Sequence, residues 1–244
     1  MDEALVNVAH LEASFGDHKV LEDVSFTVEK GGITVLLGAS GSGKTTILKH
    51  LLGLYDNQPD KISVLGQDMG QLDEDLKKEL YLKMGVFYQN GALISSMTVG
   101  ENIALPLQQH TKISEKIIER MVRLKLHMVN LDDSFDLYPS ELSGGMLKRA
   151  ALARAIIMDP PLVFCDEPGA GLDPVTLASL DELILSLNHQ LGITFLIVTH
   201  ELASIQRIAD KIVFLADGKV AFEGDFNAAK KAEHQGVRDF FNTH

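Results

Sequence analysis

The sequence has a single cysteine among 244 residues, no apolar run as long as a membrane span, and few basic residues. One cysteine excludes an intrachain disulfide framework and a cysteine-based zinc cluster, which fits a reducing compartment. Because a spanning helix needs about 20 apolar residues, and because the first residues are acidic rather than basic, we expect a cytosolic protein. The net charge of −12 disfavours broad binding to nucleic acid.

The order of apolar segments predicts an α/β fold, without internal repeats or long linkers. Strand patterns occupy "LVNVAHLEASF", "VLEDVSFTVE" and "ITVLLG", and they return in "PLVFCDEP", "ITFLIVTH" and a hairpin, "KIVFLADGKVAFEG", that turns at Asp217-Gly218. A helical pattern from Val175 to Gln190 connects two of these strands, as in a parallel sheet. We therefore predict a mostly parallel core with an N-terminal antiparallel part.

The middle of the chain, residues of about 90 to 157, has helical patterns and is predicted to form an inserted subdomain. Ahead of it, "MGVFYQ" predicts a strand that ends at Gln89. Within it, Ser114 can cap a helix that places Ile113, Ile117, Met121 and Leu124 on one face. The predicted organisation is a core in two parts, 1–88 and 158–226, the helical subdomain 89–157, and an extension, 227–244, that forms a docked helix, a partner contact or a loose end.

A phosphate-binding loop is predicted at "GASGSGKT", which matches the pattern G-x-x-x-x-G-K-[ST]. In such a loop Lys44 would contact the β- and γ-phosphates, and the Thr45 hydroxyl would coordinate magnesium. A glycine-rich turn with an exposed lysine is the alternative, but the apolar strand before the loop and the helix after it, from Thr45 to Leu54, favour the phosphate loop. The predicted nucleotide-binding residues here are Gly38, Ser40, Gly41, Gly43, Lys44, Thr45 and Thr46.

Several polar residues follow apolar strands, where the carboxyl edge of a parallel sheet would gather them. Asp166 suits the magnesium shell, and Glu167 suits activation of an attacking water. Gln89 could sense the magnesium or the water, and His200 could reach the γ-phosphate. A solvated turn and polar strand ends are the alternative interpretations. Phe15, in the turn-like "SFGDHK", could stack on adenine or pack locally.

A second phosphate surface is predicted at Ser143, Gly144 and Gly145, which precede an alanine-rich helical run. Free N–H groups at a helix N-terminus favour an anion, and glycines leave them accessible. The alternative is a helix start capped by Ser143.

With these motifs in this order, the chain resembles an ABC transporter ATPase, a P-loop NTPase, along nearly its whole length. The resemblance implies that Phe15 belongs to the A-loop, Gln89 to the Q-loop facing a membrane subunit, and Asp173 to the D-loop. It implies that Glu167 is the catalytic carboxylate and His200 the switch histidine. It also implies a head-to-tail homodimer, in which residues 143–145 cap the ATP held by the other subunit.

The stretches "NGALISSMTVGENIALPL", "LSGGMLKRAALARAI" and "DEPGAGLDPVT" resemble more closely the ATPase of MCE-type, lipid-asymmetry transporters. This resemblance implies ATP and Mg²⁺ as cofactors and a peripheral location on the cytoplasmic face of the inner membrane. The implied partners are an integral-membrane permease, an MCE-domain lipid-binding protein and a small STAS-domain protein. A transporter for polar amino acids or lipoproteins, a soluble ABC ATPase acting on DNA or ribosomes, and a P-loop kinase are the alternatives.

Overall fold

A computed structural model describes residues 3–39 and 41–242, so Ser40 of the phosphate loop lies outside the described residues. Within this part of the chain ten strands form one sheet, in the order β5-β4-β1-β2-β10-β9-β3-β8-β7-β6. The strands are β1 (Ala4–Phe15), β2 (His18–Glu29), β3 (Ile33–Gly38), β4 (Ile62–Val64), β5 (Gln67–Asp68), β6 (Met84–Phe87), β7 (Leu162–Asp166), β8 (Thr194–Val198), β9 (Lys211–Ala216) and β10 (Lys219–Gly224).

The core of the sheet is parallel and carries the candidate site. Strands β6, β7, β8, β3 and β9 are neighbours that all run in one direction, so their carboxyl ends lie at one edge. All residues of β3 and β8 are buried, as expected for parallel strands covered on both faces. Cys165 of β7 is buried too, and burial raises the pKa of its thiol, which identifies it as a core residue.

The remaining strands are mostly antiparallel. β1 pairs with β2 and β4, and β4 pairs with β5. β9 and β10 form the predicted hairpin, whose turn residues Asp217 and Gly218 have φ angles of 48° and 71°. Two consecutive left-handed residues are what a two-residue hairpin turn requires. The N-terminal antiparallel part is therefore confirmed.

Helices cover the sheet and form the insertion between β6 and β7. The insertion contains α3 (Val99–His110), α4 (Glu115–Met128) and α5 (Gly144–Ala155), which confirms a helical middle section. No helix in residues 3–39 and 41–242 has the length and apolar character needed to cross a bilayer. The other helices are α1 (Lys44–Leu51), α2 (Glu74–Tyr81), α6 (Pro174–Leu191), α7 (Leu202–Ile208), α8 (Phe226–Ala229) and α9 (Gln235–Asn242).

Two predicted boundaries are wrong. β6 ends at Phe87, which pairs with Cys165, and Gln89 lies two residues farther on in a turn. Phe87 is the last residue of β6 that pairs with β7. The first helix ends at Leu51 rather than Leu54, and Gly53 follows it with a φ of 63°.

The apolar face predicted for α4 is not the face that packs into the core. Ile113, Ile117 and Leu124 are exposed and Met121 is half-buried, whereas α4 buries the neighbouring face. Both faces carry apolar residues at helical spacing, so periodicity could not choose between them. The buried face consists of Ile118, Val122, Lys125 and Leu126, and the Lys125 ammonium contacts Asp159.

The C-terminal segment forms a docked helix, one of the outcomes left open by the sequence. Phe241 of α9 is only 1% exposed. Its ring contacts Phe226 edge-on, with ring centroids 5.5 Å apart, and also packs near Phe214 of β9. The last described turn of the chain is therefore part of the hydrophobic core.

Asn102 of α3 organises the loop that precedes this helix. Its amide donates to the carbonyls of Ile94, Met97 and Thr98 at 3.0, 3.2 and 2.9 Å, and its oxygen accepts from Ile94 N–H at 2.7 Å. Because the side chain is completely buried, we expect Asn102→Ala to lower the free energy of unfolding by about 2 to 4 kcal/mol.

Chemical denaturation of the wild type and of Asn102→Ala measures this loss of unfolding free energy. Gln109→Ala, at an exposed position of the same helix, is the matched control and should change stability by less than about 0.5 kcal/mol. Equal stability of Asn102→Ala and the control would contradict the structural role of Asn102.

Candidate functional site

The loop between β3 and α1 is shaped to hold an anion. Lys44 Nζ donates to the carbonyls of Gly38 and Ala39, at 2.8 and 3.0 Å. At Gly38 a Cβ atom would lie 2.3 Å from the carbonyl oxygen of Leu215, so only glycine fits. Gly43, before α1, is left-handed and no side chain caps the helix. The free N–H groups of α1 therefore point to a negatively charged ligand.

Two buried side-chain polar atoms within the described residues have no hydrogen-bond partner, and both belong to this sheet edge. They are Oγ of Ser42 in the loop and Oε2 of Glu167 after β7. An unsatisfied buried polar atom costs free energy unless a ligand or water completes it. Both atoms therefore fit a site that receives phosphate and its hydrated metal ion.

Glu167 and His200 form a pair. His200 Nδ1 lies 2.8 Å from Glu167 Oε1, which leaves only Oε2 of the carboxylate without a partner. The backbone of Glu167 is left-handed, with a φ of 45°, and its N–H donates to the carbonyl of Val198 at 2.8 Å. This conformation is uncommon for a residue with a side chain and occurs often at functional sites.

Charges at the site act on one another. Burial raises the pKa of Asp166 and the neighbouring Glu167 raises it further, while Lys44 opposes both effects. Burial lowers the pKa of Lys44, against the attraction of Glu167 and Asp166. The charges of Lys44, Asp166 and Glu167 thus influence one another at this edge of the sheet.

The three residues predicted to hold magnesium occupy the same edge. Asp166 ends β7 half-buried, Thr45 is exposed in the first turn of α1, and Gln89 is exposed in the turn after β6. Carboxylate, hydroxyl and amide oxygens are ligands that Mg²⁺ accepts, so these side chains fit the ion. Thr46, which is predicted to bind the nucleotide, is half-buried in the same turn of α1 as Thr45.

The predicted adenine-stacking residue, Phe15, ends β1 and is 49% exposed. Its ring contacts Tyr55 edge-on, with centroids 5.6 Å apart. A cavity of about 400 Å³ adjoins the phosphate loop at Gly41 and Ser42, and among the described residues its lining does not include Phe15. His18 and Val20 of β2 line that cavity instead, which the sequence did not indicate.

The Ser143-Gly144-Gly145 stretch forms the start of α5. Ser143 is the N-cap, and its Oγ accepts a hydrogen bond from Met146 N–H at 3.3 Å. A Cβ atom on Gly145 would lie 2.6 Å from Cγ2 of Thr176, so glycine permits close packing there. Asp173 caps the facing helix α6 and accepts from the Thr176 hydroxyl at 2.5 Å, a bond that chiefly lowers the pKa of Asp173.

The two predicted phosphate surfaces do not meet within one chain. In residues 3–39 and 41–242, no hydrogen bond or ion pair joins residues 143–145 to the loop at 38–46. Ser143 and Gly144 are exposed. The start of α5 is therefore accessible to a ligand or a second subunit.

Besides His18 and Val20, the residues missed in the sequence are Ser42 and Lys148. Ser42 is one of the variable positions of the phosphate-loop pattern, which gave no reason to select it. Lys148 of α5 is buried and donates through Nζ to the main-chain carbonyl of Gln89. A lysine inside an alanine-rich helix usually faces solvent, so only the fold could reveal this contact.

Comparison with protein families matches residues 21–170 to the ABC transporter family. The chain is 39% identical over 224 residues to the intermembrane phospholipid transport system ATP-binding protein MlaF of Haemophilus influenzae, covering 92% of this chain and 85% of that protein. It is 36% identical to the MlaF protein of Escherichia coli K12, over 99% of this chain and 91% of that protein.

A further relative is the probable ribonucleotide transport ATP-binding protein mkl of Mycobacterium bovis, which is 39% identical over 97% of this chain. The chain spans 66% of the length of that relative.

Solved structures share the fold. The ATP-binding cassette MJ0796, solved as a dimer bound to ADP and Pi, has a TM-score of 0.80 at 28% identity, over 90% of this chain and 98% of that chain. The fold also matches cbiO1 from Clostridium perfringens, with a TM-score of 0.84 at 24% identity over 92% of this chain and 89% of that chain. The α/β fold is thus that of an ABC cassette, and the chain belongs to the ABC transporter family.

Proposed function

We propose that this chain is the ATP-hydrolysing motor subunit of a membrane transporter that moves phospholipid. The observation that carries the hydrolytic part is the geometry of Glu167, whose Oε1 is held by His200 while its buried Oε2 has no partner. A carboxylate fixed in this way can accept a proton from a water molecule that attacks the γ-phosphate.

Each residue of the sheet edge has a role in this proposal. Lys44 and the free N–H groups at the start of α1 bind the phosphates, and the Ser42 hydroxyl contributes a further polar contact. His200 orients Glu167. Thr45, Asp166 and Gln89 would hold Mg²⁺, which would neutralise negative charge on the phosphates.

A second copy of the chain completes the site. Residues 143–145 and Asp173 lie together, and among residues 3–39 and 41–242 no hydrogen bond or ion pair joins them to their own phosphate loop, so they would close on the ATP of the other subunit. Phe15, which is exposed at the end of β1, would stack on the base. The proposed assembly is a head-to-tail homodimer. Each subunit would consist of a core in two parts, 1–88 and 158–226, a helical subdomain, 89–157, and a C-terminal extension, 227–244.

Phospholipid is the proposed cargo because both MlaF relatives, from two bacteria, match this chain nearly from end to end. The proposed partners follow from the same resemblance: an integral-membrane permease, an MCE-domain lipid-binding protein and a STAS-domain protein. The chain would lie on the cytoplasmic face of the inner membrane. A ribonucleotide is the competing cargo, since mkl is equally similar in sequence.

Purification of the tagged full chain from its host in mild detergent tests the proposal. We expect a permease, an MCE-domain protein and bound phospholipid to co-purify, and we expect the complex reconstituted in proteoliposomes to move a fluorescent phospholipid when ATP is added. The Glu167→Gln complex is the control for ATP dependence. Transport of nucleotides by the wild-type complex, or ribosomes that co-purify with the chain, would overturn the phospholipid assignment.

A further inference from the structure

Helix α5 is joined to the turn after β6 by a buried lysine. The side chain of Lys148 donates through Nζ to the carbonyl oxygen of Gln89, and its ammonium lies 5.6 Å from the centroid of the Phe87 ring. Lys148 is only 8% exposed. The contact connects the second turn of α5 with Gln89, the residue predicted to sense magnesium.

The same helix also fixes the residues that follow Gln89. Arg154, nearly two turns beyond Lys148, donates to the carbonyls of Ala92 and Gly91 at 2.7 and 2.8 Å. A Cβ atom on Gly91 would lie 3.2 Å from that of Ala151, so the loop runs closely along the helix. The turn at 89–92 is therefore expected to move with α5 as one unit.

The lysine is a costly choice at this position. Burial lowers the pKa of Lys148, although the charge of Glu167 opposes this effect. In the described residues its only hydrogen bond is the one to Gln89, so its ammonium is largely desolvated and incompletely paired. A methionine would fill similar space without a buried charge. Stability alone does not account for a lysine here.

The position of Lys148 along α5 suggests what the contact does. The helix starts at Gly144, with Ser143 as its cap, and Lys148 lies one turn farther on. A continuous helix of 12 residues is stiff, so a displacement of its first turn moves Lys148 by nearly the same amount.

We propose that Lys148 is a positioning residue that couples the two ATP sites of the dimer: ATP of the partner subunit, engaged at residues 143–145, places Gln89 through Lys148. This rests on the function proposed above and assigns one residue to communication between the sites. The side chain of Lys148 contacts Gln89 through the main-chain carbonyl, so we assign it a positioning role and not a catalytic one.

The test compares full-length wild type, Lys148→Met and Lys148→Arg, each with its co-purifying membrane proteins. For Lys148→Met we expect kcat for ATP to fall about tenfold to a hundredfold, the affinity for ATP without magnesium to stay within about twofold, and the Hill coefficient to fall to about 1. Lys148→Arg keeps a donor of similar reach and should restore most of kcat and the cooperativity.

Lys125→Met is the matched control, because Lys125 is a buried lysine of the same subdomain that contacts Asp159 instead of the turn after β6. It should retain the wild-type kcat and Hill coefficient. Unchanged cooperativity in Lys148→Met, or the same loss in the control, would overturn the coupling role. Absence of ATP hydrolysis by the wild type would refute the proposed function itself. Failure of the coupling role can therefore be distinguished from failure of the proposed function.

Discussion

Glu167→Gln is expected to slow ATP hydrolysis by at least about a hundredfold while ATP still binds. Glutamine has the shape of glutamate and can keep the contact with His200 Nδ1, which lies 2.8 Å from Oε1. It cannot accept a proton, so the role proposed for Oε2 is lost. Phosphate release measures hydrolysis, and binding of a fluorescent ATP analogue measures affinity. With ATP present, the variant should accumulate as a dimer on size-exclusion chromatography.

Glu201→Gln provides the control for this result. Glu201 lies on the other side of His200, 3.8 Å from Nε2, and the change removes a carboxylate of the same type. Hydrolysis by this variant should stay within about threefold of wild type. Full turnover by Glu167→Gln would refute the role of Glu167, and a variant that stays monomeric with ATP would favour a monomeric NTPase.

Lys44→Met is expected to weaken ATP binding about a hundredfold and to bring hydrolysis below detection. Lys44 is a cation of the phosphate loop, and its hydrogen bonds to the carbonyls of Gly38 and Ala39 also hold the loop in shape. Two charge-assisted hydrogen bonds to phosphate together contribute about 3 kcal/mol or more, which corresponds to this factor. Isothermal titration with ATP measures the affinity directly.

Thermal unfolding gives an independent measurement for Lys44→Met. A ligand that binds only the folded state raises the melting temperature, so wild type should be stabilised by millimolar ATP and the variant should not. Lys78→Met, which removes an exposed lysine paired with Asp75 on α2, should respond to ATP as wild type does. Equal stabilisation of all three proteins would show that Lys44 does not bind the nucleotide.

Local motifs allowed the sequence to predict much of the fold and the candidate site. The order of β3, phosphate loop and α1 could be predicted because a strand pattern, glycines and a helix pattern are contiguous. Asp166 and His200 could be placed at one edge because each follows an apolar segment, and parallel strands align such ends. The hairpin between β9 and β10 could be predicted because Asp217 and Gly218 form a typical two-residue turn.

What the sequence could not predict depends on contacts between distant segments. The end of β6 at Phe87 is decided by its pairing with β7, and the buried face of α4 is decided by the helices packed against it. Asn102 and Lys148 are recognisable only once their hydrogen bonds to Ile94 and Gln89 are seen. Each of these features involves a choice between equally good local patterns.

The strand order also constrains how the protein is made. The strand that leads into the phosphate loop, β3, pairs with β8 and β9, which come from residues 194–216. During synthesis β3 leaves the ribosome long before either neighbour exists, so the nascent chain cannot close the central sheet or assemble the loop around ATP. Until then the apolar residues of β3 need protection from other chains. Nucleotide binding to the completed loop can thus begin only after residues 194–216 have been translated.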